Sequence, residues 1–358
     1  MNAPFVPTRE VVRLTNLCDP GEAARIEAFL ATCEDATPFH RPCWLRAVER
    51  GTGNAAIALT VERGDAITGY LPLNEIHSSI FGRLLASSGF AVGGGVLAQT
   101  RLDAERLIEA AEELATRHAC PAIELRGGAL PEPGDCWSLK TDSHAGFVTA
   151  LAQDDEAQLL AIPRKQRAEV RKGLKHGLDV SIGNDEALRS AHYAVYAASV
   201  RNLGTPVFPR ALFDAVLDLF GEHADILTVQ HDGKPVASVL SLYHRGAVLP
   251  YWGGGTWAAR GLRANDVMYY ELMLHARRRG CTHFDFGRSK TGSGAYSFKK
   301  NWGFEPEPLT YAEWTAPGAA RRDADPTSAK HGLQIKVWQR LPLSLANRLG
   351  PLIARGLG

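Results

Sequence analysis

A repeated order of segments is the feature that most constrains how this chain of 358 residues folds. Two β runs joined by a polar turn occur twice, once around Gly64 and Asp65 and again around Asp232 and Gly233. Such turns between apolar runs predict β-hairpins. The paired runs are 55–61 with 67–76, and 224–230 with 236–243.

Each hairpin is followed by a further strand, three consecutive glycines, a helix and one more strand. The helices are predicted from apolar residues that recur at helical spacing. The corresponding pieces are the glycines 93–95 and 253–255, the helices 102–118 and 264–279, and the strands 123–126 and 284–288. Because the same order recurs about 160 residues later, duplication of one unit explains it better than chance.

The repeat and the length together predict an α/β (α+β) fold of two tandem halves, each a mixed central sheet flanked by helices. Further helical patterns would cover the second sheet, and the last of them begins after Pro209, a residue that suits a helix start. These helices are predicted at 154–176, 188–202 and 210–220. We place a first domain at 1–145, a second at 146–315 that carries the active site, and a loose linker and tail at 316–358.

Composition and charge narrow the class of protein. The 40 basic and 39 acidic residues nearly cancel, so any anionic partner must be held by a local patch. The six cysteines form no Cys-x-x-Cys pair and no zinc-type spacing with histidine, so we expect reduced thiols and no metal site. Residues 1–10 lack the apolar run of a secretory signal, and no stretch approaches the roughly 20 apolar residues of a membrane span. We therefore expect a cytoplasmic location.

An arginine-containing segment opens the second of the repeated helices. Backbone N–H groups and the positive end of the helix dipole suit a helix start to an anion, and two arginines favour a phosphate. A simple turn is an equally weighted alternative. The candidate donor-phosphate residues are Arg260, Gly261, Arg263, Ala264 and Asn265.

The densest cluster of polar and aromatic residues lies at 285–304, where three glycines permit a tight loop. After this loop we expect a strand with Tyr296, Phe298 and Lys300 on one face and Lys299 on the other. Acyl transfer to an amine needs a cation near the reacting carbonyl and a group that removes a proton. The candidates for these roles are Lys299, Lys300, Tyr296, Asp285 and Arg288, although the two lysines also fit a solvated surface.

A run of basic residues lies within the predicted helix 154–176. It suits phosphates, including those of a tRNA, and equally well a solvated helix face. The candidate anion patch is Arg164, Lys165, Arg167 and Arg171.

Acceptor contacts are predicted from position alone. The segment 202–209 joins two predicted helices and contains a glycine and two prolines, as expected of a loop that walls a pocket. The aromatic residues beside the second glycine triplet fit core packing as well as ligand contact. The candidate acceptor residues are Arg201, Asn202, Phe208, Tyr251, Trp252 and Phe298.

The C-terminal tail combines a polar segment at 317–329 with an amphipathic one at 335–357, where arginines alternate with Trp338 and leucines. This pattern suits a helix that lies at a membrane surface. Pro342 and Pro351 interrupt it, so packing against the protein body is an equal alternative.

Several of these segments together resemble the FemAB-related proteins associated with exosortase/PEP-CTERM and exopolysaccharide gene sets. The resemblance spans about residues 35–312, and its last motif is the most specific. The segments that carry it are 163–168, 199–209, 251–255, 264–269, 284–290 and 298–306. It implies a tandem GNAT fold, in which the Fem ligases transfer an amino acid from aminoacyl-tRNA to a peptidoglycan precursor.

The resemblance also implies roles for individual residues. Phe298 and Lys299 match the Phe-Lys step of the Fem proteins, where the lysine aids the reacting carbonyl, and 260–265 corresponds to the donor-phosphate loop of GNAT enzymes. The loop departs from the usual spelling because its glycine follows Arg260 immediately, and the long helical hairpin that Fem ligases insert for tRNA is not evident. Acyl-CoA and aminoacyl-tRNA therefore both stay open as cosubstrates, and no tightly bound cofactor is expected.

Three functions from different classes remain. We favour N-acyl transfer to an amine of an exopolysaccharide or cell-envelope precursor, either a small molecule or a lipid-linked saccharide. The first alternative is an aminoacyl-tRNA-dependent ligase of the Fem type. The second is a non-catalytic GNAT-like scaffold that binds a precursor without turnover. The sequence leaves the oligomeric state open.

Overall fold

The structure is a computed structural model that describes residues 10–78, 81–320 and 332–357. These residues form two compact units. The first unit contains 10–78, 81–140, 310–320 and 356–357, and the second contains 141–309 and 332–355. The boundary expected at 145 lies within a single strand, Trp137–Gly146, and the chain returns to the first unit at Thr310.

The elements of the first part of the chain alternate between helices and strands. They are β1 (Glu10–Thr15), α1 (Pro20–Thr32), α2 (Pro42–Thr52), β2 (Ala55–Arg63), β3 (Ala66–Ser78), β4 (Gly82–Ser87), β5 (Leu97–Ala98), α3 (Arg101–Arg117), β6 (Ala122–Arg126) and β7 (Trp137–Gly146). A 3₁₀ turn at Pro38–His40 precedes α2.

The remaining elements follow a similar order. They are β8 (Val148–Ala150), α4 (Asp155–Ala161), α5 (Arg164–Gly173), β9 (Asp179–Gly183), α6 (Glu186–Leu203), α7 (Arg210–Phe220), β10 (Ala224–His231), β11 (Lys234–His244), β12 (Ala247–Gly255), α8 (Trp257–Leu262), α9 (Ala264–Arg278), β13 (His283–Asp285), β14 (Ser289–Lys290), α10 (Gly294–Asn301), β15 (Glu307–Thr315), α11 (Gly332–Arg340) and α12 (Leu343–Ala354).

The two units have the same strand order. In the first unit it is β1-β2-β3-β4-β6-β15, with β7 beside β15, and in the second it is β9-β10-β11-β12-β13-β8. Corresponding neighbours are antiparallel in both sheets except for one parallel pair in each, β4 with β6 and β12 with β13. The expected α/β fold of two tandem halves with mixed sheets is confirmed.

The hairpins form where the turn chemistry predicted them. Between β10 and β11, Asp232 and Gly233 both have positive φ, 50° and 71°. Two such residues make the turn whose twist matches that of the flanking strands. Between β2 and β3 the corresponding turn contains Gly64 at φ 64°.

The helix that follows each glycine triplet packs its apolar stripe into the core of its own unit. On α3, Leu107 and Ala111 are fully buried, and on α9, Met268, Leu272 and Ala276 are fully buried. Because these residues recur every four positions, they share one face of each helix. The helical periodicity in the sequence therefore predicted both helices and the faces that they bury.

One helix predicted from the sequence is two helices. The stretch 154–176 was expected to be continuous, but α4 ends at Ala161 and α5 begins at Arg164. Pro163 lies between them, and Ile162 before it has the extended backbone, φ −68° and ψ 132°, that a following proline favours. The prediction was wrong because it gave too little weight to this proline.

The tail forms the helices α11 and α12, which are separated at Pro342. The polar segment that we predicted at 317–329 lies outside the described residues from 321 onward. None of the described helices has both the length and the apolar character that crossing a membrane requires.

Candidate active site

The glycine triplet 253–255 at the end of β12 allows two helices to approach the strand closely. A β-carbon on its middle residue would lie 2.4 Å from Oγ of Ser199 on α6. On the other two glycines it would lie 3.3 Å from the hydroxyl of Tyr269 and 2.5 Å from Oδ1 of Asn265, both on α9. Because side chains alternate along a strand, α6 and α9 cover opposite faces of β12.

The parallel pair of the second unit is short. Ala247 pairs with His283 and Val248 with Phe284, and β12 then continues to Gly255. The register between β11 and β12 also shifts, so that Tyr251 is an extra residue between two paired positions. Such a bulge bends a strand and redirects its side chains, and bulges are frequent beside active sites.

Residues 294–301 form the helix α10, so the strand that we predicted there was wrong. Ser293 caps the helix, because its side chain accepts a hydrogen bond from the backbone N–H of Tyr296 at 3.2 Å. The polar N-cap outweighed the short alternation of aromatic and basic residues on which the strand was based. In the helix, Lys299 is buried and Lys300 is exposed.

Lys299 has only 8% of its surface exposed. Its Nζ donates hydrogen bonds to the carbonyl oxygens of Gly287 at 3.1 Å and Arg288 at 2.9 Å. It also lies 5.3 Å from the ring centre of Phe147 and 5.4 Å from that of Phe286. The rings stabilise a cation on Nζ and exclude water from two sides of it.

The surroundings of Lys299 shift its titration. Burial lowers the pKa of the amine to about 8, while Asp285 opposes this shift and Arg288 adds to it. Burial also raises the pKa of Asp285, against the effect of the backbone N–H of Gly287, which donates to Oδ1 of Asp285 at 2.8 Å. The site therefore holds an amine whose charge changes within the range of cellular pH.

A protonated lysine has three N–H donors, and Lys299 uses two of them on backbone carbonyls. Within the described part of the chain, the third has no protein acceptor. Of the two lysines predicted as candidates in this segment, Lys299 is the buried one.

Aromatic contacts join α10 to the neighbouring elements. Tyr296 packs edge-on against Phe147, with ring centres 5.3 Å apart. Phe298 lies 5.8 Å from Tyr269 and 6.2 Å from Phe286, again between ring centres. Because Tyr269 also contacts the glycine strand, β12, α9 and α10 form one neighbourhood around Lys299.

The loop predicted to bind a donor phosphate contains two arginines in different situations. Arg263 has the left-handed conformation at φ 54° immediately before α9, and its Nε lies 2.6 Å from Oε2 of Glu169. Arg260 is exposed and stacks over the ring of Trp257 at 4.2 Å. Gly261 is exposed, and α9 has no side-chain cap at its N-terminus, where Ala264 and Asn265 begin the helix.

The basic helix α5 contacts α9 through residues that are not basic. Gln166 donates to Oδ1 of Asp266 at 2.5 Å, and Glu169 pairs with Arg263. Burial raises the pKa of Asp266, and the bond from Gln166 opposes that shift. The predicted anion patch lies away from this contact: Arg164, Lys165 and Arg171 are exposed, and Arg167 donates to the carbonyl of Leu160 at 3.0 Å.

The candidate acceptor residues fall into three places. Trp252 is 5% exposed, and its ring lies 4.9 Å from Tyr251 and 6.2 Å from Phe208. At the end of α6, Arg201 donates to the carbonyl of Gln339, and the carbonyl of Asn202 accepts from the amide of Gln339. Phe298 belongs to the aromatic neighbourhood of Lys299.

Sequence reasoning missed several residues of this site. Phe147 and Phe286 line Lys299, and Tyr269 joins α9 to both β12 and α10. The spacing did contain a signal for Tyr269, since it follows Asn265 by four residues on a helix and the two share a face. Phe147 lies over 150 residues from Lys299 in the sequence, and no local pattern indicates their contact.

Comparison with known families gives one match. Residues 164–300 match the family model described as Acetyltransferase (GNAT) domain. This part of the chain is therefore similar to GNAT domains. The matched part lies within the second unit and extends from α5, through the loop that we predicted to bind a donor phosphate, to Lys299 and Lys300. No curated protein matches the sequence.

Three solved structures share the fold. FemX is 15% identical, with 81% of this chain and 95% of FemX covered and a TM-score of 0.64. A tandem GNAT protein from the clavulanic acid biosynthesis pathway is 13% identical over 87% of this chain and 100% of its own, with a TM-score of 0.56. N-myristoyltransferase from Saccharomyces cerevisiae with bound myristoyl-CoA is 11% identical over 87% of this chain and 83% of its own, with a TM-score of 0.52.

Proposed function

We propose that this protein is an N-acyltransferase whose chemistry takes place in the second unit at Lys299. The observation that carries the proposal is a buried amine with a pKa of about 8 and one N–H that no described residue accepts. A protonated donor held in a water-poor site stabilises a negative oxygen strongly, because the surroundings screen the charge only weakly. The acetyltransferase family match over 164–300 supports the same class of reaction.

The reaction needs three changes. The nitrogen of the acceptor amine forms a bond to the donor carbonyl carbon, and the carbonyl oxygen becomes an oxyanion. The third N–H of Lys299 donates to that oxygen. Collapse of the intermediate breaks the bond to the leaving group, the sulfur of CoA or the ribose oxygen of a tRNA, and the proton that the acceptor nitrogen loses ends on that leaving group.

The neighbouring residues hold Lys299 in place. Asp285 fixes the turn at Gly287, whose carbonyl receives one hydrogen bond from the amine. The carbonyl of Arg288 receives another, and Tyr296 packs against the ring of Phe147 beside it. Lys300 is exposed, so we leave it out of the proposed chemistry.

Acyl-CoA is the cosubstrate that we favour. Its phosphates would meet the uncapped start of α9 at Ala264 and Asn265, with Gly261 and Arg260 beside them. Arg263 is paired with Glu169, so it would attract the phosphates through its charge without binding them directly. The myristoyl-CoA bound in the yeast enzyme of similar fold supports this choice.

The acceptor is an amine on an exopolysaccharide or cell-envelope precursor, as the FemAB-related resemblance implies. Aromatic side chains suit the apolar faces of sugar rings, and the half-buried Tyr251, Phe208 and Phe298 supply such faces on β12, before α7 and on α10. Trp252 is buried and packs against Tyr251 and Phe208. Arg201 and Asn202 at the end of α6 bind Gln339 of α11, so we leave them out of the proposed acceptor contacts. We also propose that the protein acts together with a PEP-CTERM/exosortase system, as the same resemblance implies.

The test is a matrix of donors and amine acceptors. Purified protein is incubated with acyl-CoAs or charged tRNAs and with amino sugars or amino acids, and the acylated amine is measured by mass spectrometry. Thermal shift measured in parallel detects donors that bind the folded state. Turnover that disappears in Lys299→Ala and persists in Lys300→Ala supports the proposal, whereas equal turnover in wild type and Lys299→Ala removes it.

An aminoacyl-tRNA-dependent ligase is the second candidate function. It is favoured by the exposed Arg164, Lys165 and Arg171 on α5, because α5 also contacts the donor loop through Glu169. Phosphate contacts of this kind make binding steeply dependent on salt. Two results together would favour the ligase over the acyl-CoA enzyme. The first is that charged tRNA is consumed and acyl-CoA is not. The second is that the double variant Arg164→Glu with Arg171→Glu weakens the binding of tRNA and leaves the binding of acyl-CoA unchanged. Tight precursor binding without consumption of either donor would indicate the scaffold.

A further inference from the structure

The two tail helices pack on the second unit through one side. Ala346, Gly350 and Ala354 of α12 are buried and recur every four residues, so they form a single narrow face. A β-carbon at Gly350 would lie 3.0 Å from the backbone nitrogen of Val207. α12 is therefore held against the body by its small residues.

The other side of α12 is apolar and exposed. Leu345, Leu349 and Leu352 are 42%, 40% and 62% exposed. Their spacing of four and three residues places them on one strip of the helix. On α11, Val337 is 56% exposed. A folded protein gains nothing in water from presenting a row of leucines in this way.

Positive charge accompanies these apolar residues. Four of the chain's 40 basic residues and none of its 39 acidic residues lie in 332–357. They are Lys336, Arg340, Arg348 and Arg355, and all four are exposed. Arg348 and Arg355 are seven residues apart, so they flank the leucine strip along one edge.

We propose that the outer side of α11 and α12 docks on an anionic lipid surface. The leucine strip would enter the boundary between headgroups and acyl chains, and the arginines and Lys336 would meet lipid phosphates. The small-residue face of α12 stays on the body, so docking requires no unfolding. This inference is independent of the proposed function, because it concerns only binding to a surface.

A second copy of the chain fits this surface less well. In a symmetric dimer the same patch meets itself, so the four cations of one copy would face the same four of the other. A surface rich in lipid phosphates removes that repulsion. Charge therefore favours the membrane surface over self-association.

The experiment is sedimentation of the full chain with vesicles. Vesicles of phosphatidylcholine alone are compared with vesicles that contain phosphatidylglycerol, at 0.1 M and 0.5 M salt. We expect binding only to the anionic vesicles, and weaker binding at high salt, where surface charges are screened. The apolar variant is Leu345→Gln with Leu352→Gln, and its matched control is Leu102→Gln, which changes a 50% exposed leucine on α3.

The apolar variant should weaken binding at least tenfold, and the control should leave it unchanged. A charge variant, Arg340→Gln with Arg348→Gln, should weaken binding by about fivefold for each charge removed. Equal thermal midpoints show that the variants are folded. Absence of binding to anionic vesicles, or binding that both variants retain, overturns the proposal; so does a dimer in solution that the apolar variant dissociates.

Discussion

The two glycine triplets occupy the same place in the repeated plan but are enclosed differently. In the first unit, a β-carbon on Gly95 would lie 1.8 Å from the carbonyl oxygen of Gly127, so backbone meets backbone. Val96 continues this closure by bridging to Gly128. In the second unit a β-carbon on Gly255, the last glycine of its triplet as Gly95 is of the first, would meet the side chains of Asn265 and Ala259 instead. Helix side chains can be substituted without disturbing the sheet. The glycine strand of the second unit is therefore the better place for a binding site.

The segments after the parallel strands differ as well. In the first unit, β6 leads to β7 through a stretch that contains no helix. In the second unit, β13 leads through the Gly287 turn to α10, and α10 carries Lys299. Because the strand order is shared and the lysine-bearing helix is not, the first unit is expected to be structural and the second chemical.

The largest effect expected from this comparison is at Lys299. Lys299→Ala should lower kcat/KM at least about 100-fold, since removal of one donor to an oxyanion has effects of that size. Transfer is measured with the best donor and acceptor found.

Lys300→Ala is the matched control, because it removes the same group from the adjacent, exposed position. Its rate should stay within about twofold of wild type. If both variants lost activity equally, the conclusion that only the buried lysine takes part in the reaction would be wrong.

Next in size is the contrast between two glycine substitutions. Gly95→Ala forces a β-carbon into the backbone at Gly127 and should destabilise the protein by about 3 kcal/mol, near the upper end for overpacking. Gly255→Ala places its β-carbon 2.5 Å from Oδ1 of Asn265, which can rotate away, and 2.8 Å from the β-carbon of Ala259, which requires a small shift of α8. No backbone atom is among these contacts, so the stability cost should be smaller than for Gly95→Ala. Denaturant midpoints measure the first effect.

Activity separates the two substitutions further. Gly255→Ala should lower transfer in protein that is still folded, because Asn265 lies at the start of α9, where we propose that the donor phosphates bind. A Gly255→Ala variant with unchanged kinetics, or a Gly95→Ala variant as stable as wild type, would contradict the distinction between side-chain and backbone enclosure.

The pH dependence follows from the lowered pKa of Lys299. The protonated form donates the hydrogen bond, so kcat/KM should fall as pH rises through about 8 and should drop tenfold per unit above it. An acceptor amine of low pKa keeps its own titration out of this range.

Lys299→Arg tests the assignment of this alkaline fall, because a guanidinium stays charged throughout. The variant should be slower and should show no fall above pH 8. A fall that remains in the arginine variant belongs to another group.

The smallest effect is expected at the ion pair beside the donor loop. Glu169→Gln releases Arg263 from its partner and removes a negative charge near the proposed phosphate site. Because the pair is partly exposed, donor affinity should rise only about two- to fivefold. Thermal shift with donor measures the change in affinity. Glu156→Gln on α4, which removes an exposed negative charge, is the control.

The repeat carried most of the fold prediction. The two-residue turns fixed both hairpins, and the helical periodicity identified α3 and α9 with their buried faces. These features are local, since turn chemistry and apolar spacing are written within a few residues. The duplication then indicated that the same sheet is built twice.

The site was predicted less completely. The sequence indicated the segment that contains Lys299 but read α10 as a strand, because the alternation of Tyr296, Phe298 and Lys300 was weighed above the cap at Ser293. A strand would have separated the two lysines by face, and the helix separates them by burial. The predicted difference between the two lysines is therefore present, but it arises from burial in a helix and not from the two faces of a strand.

Contacts between distant segments explain the rest. The ion pair with Glu169 reduces the positive charge that Arg263 presents to a ligand, and the ring of Phe147 covers one side of the Lys299 amine. Neither pair is close in the sequence, so no periodicity or motif indicates that they meet. Such pairs are fixed only when the strands and helices that carry them are assembled.

The place of β15 has a consequence for synthesis of the chain. Tyr311 to Thr315 pair with Arg126 to Ala122, so a strand from near the C-terminus completes the first sheet. Translation at about 5–20 residues per second delivers that strand on the order of ten seconds after β6 has left the ribosome. Until then the newborn first sheet has an open edge that another nascent chain can pair with. If the two units were expressed as separate chains, the first sheet would lack β15 permanently. The separate chains should therefore aggregate unless residues 310–315 are appended to the first unit.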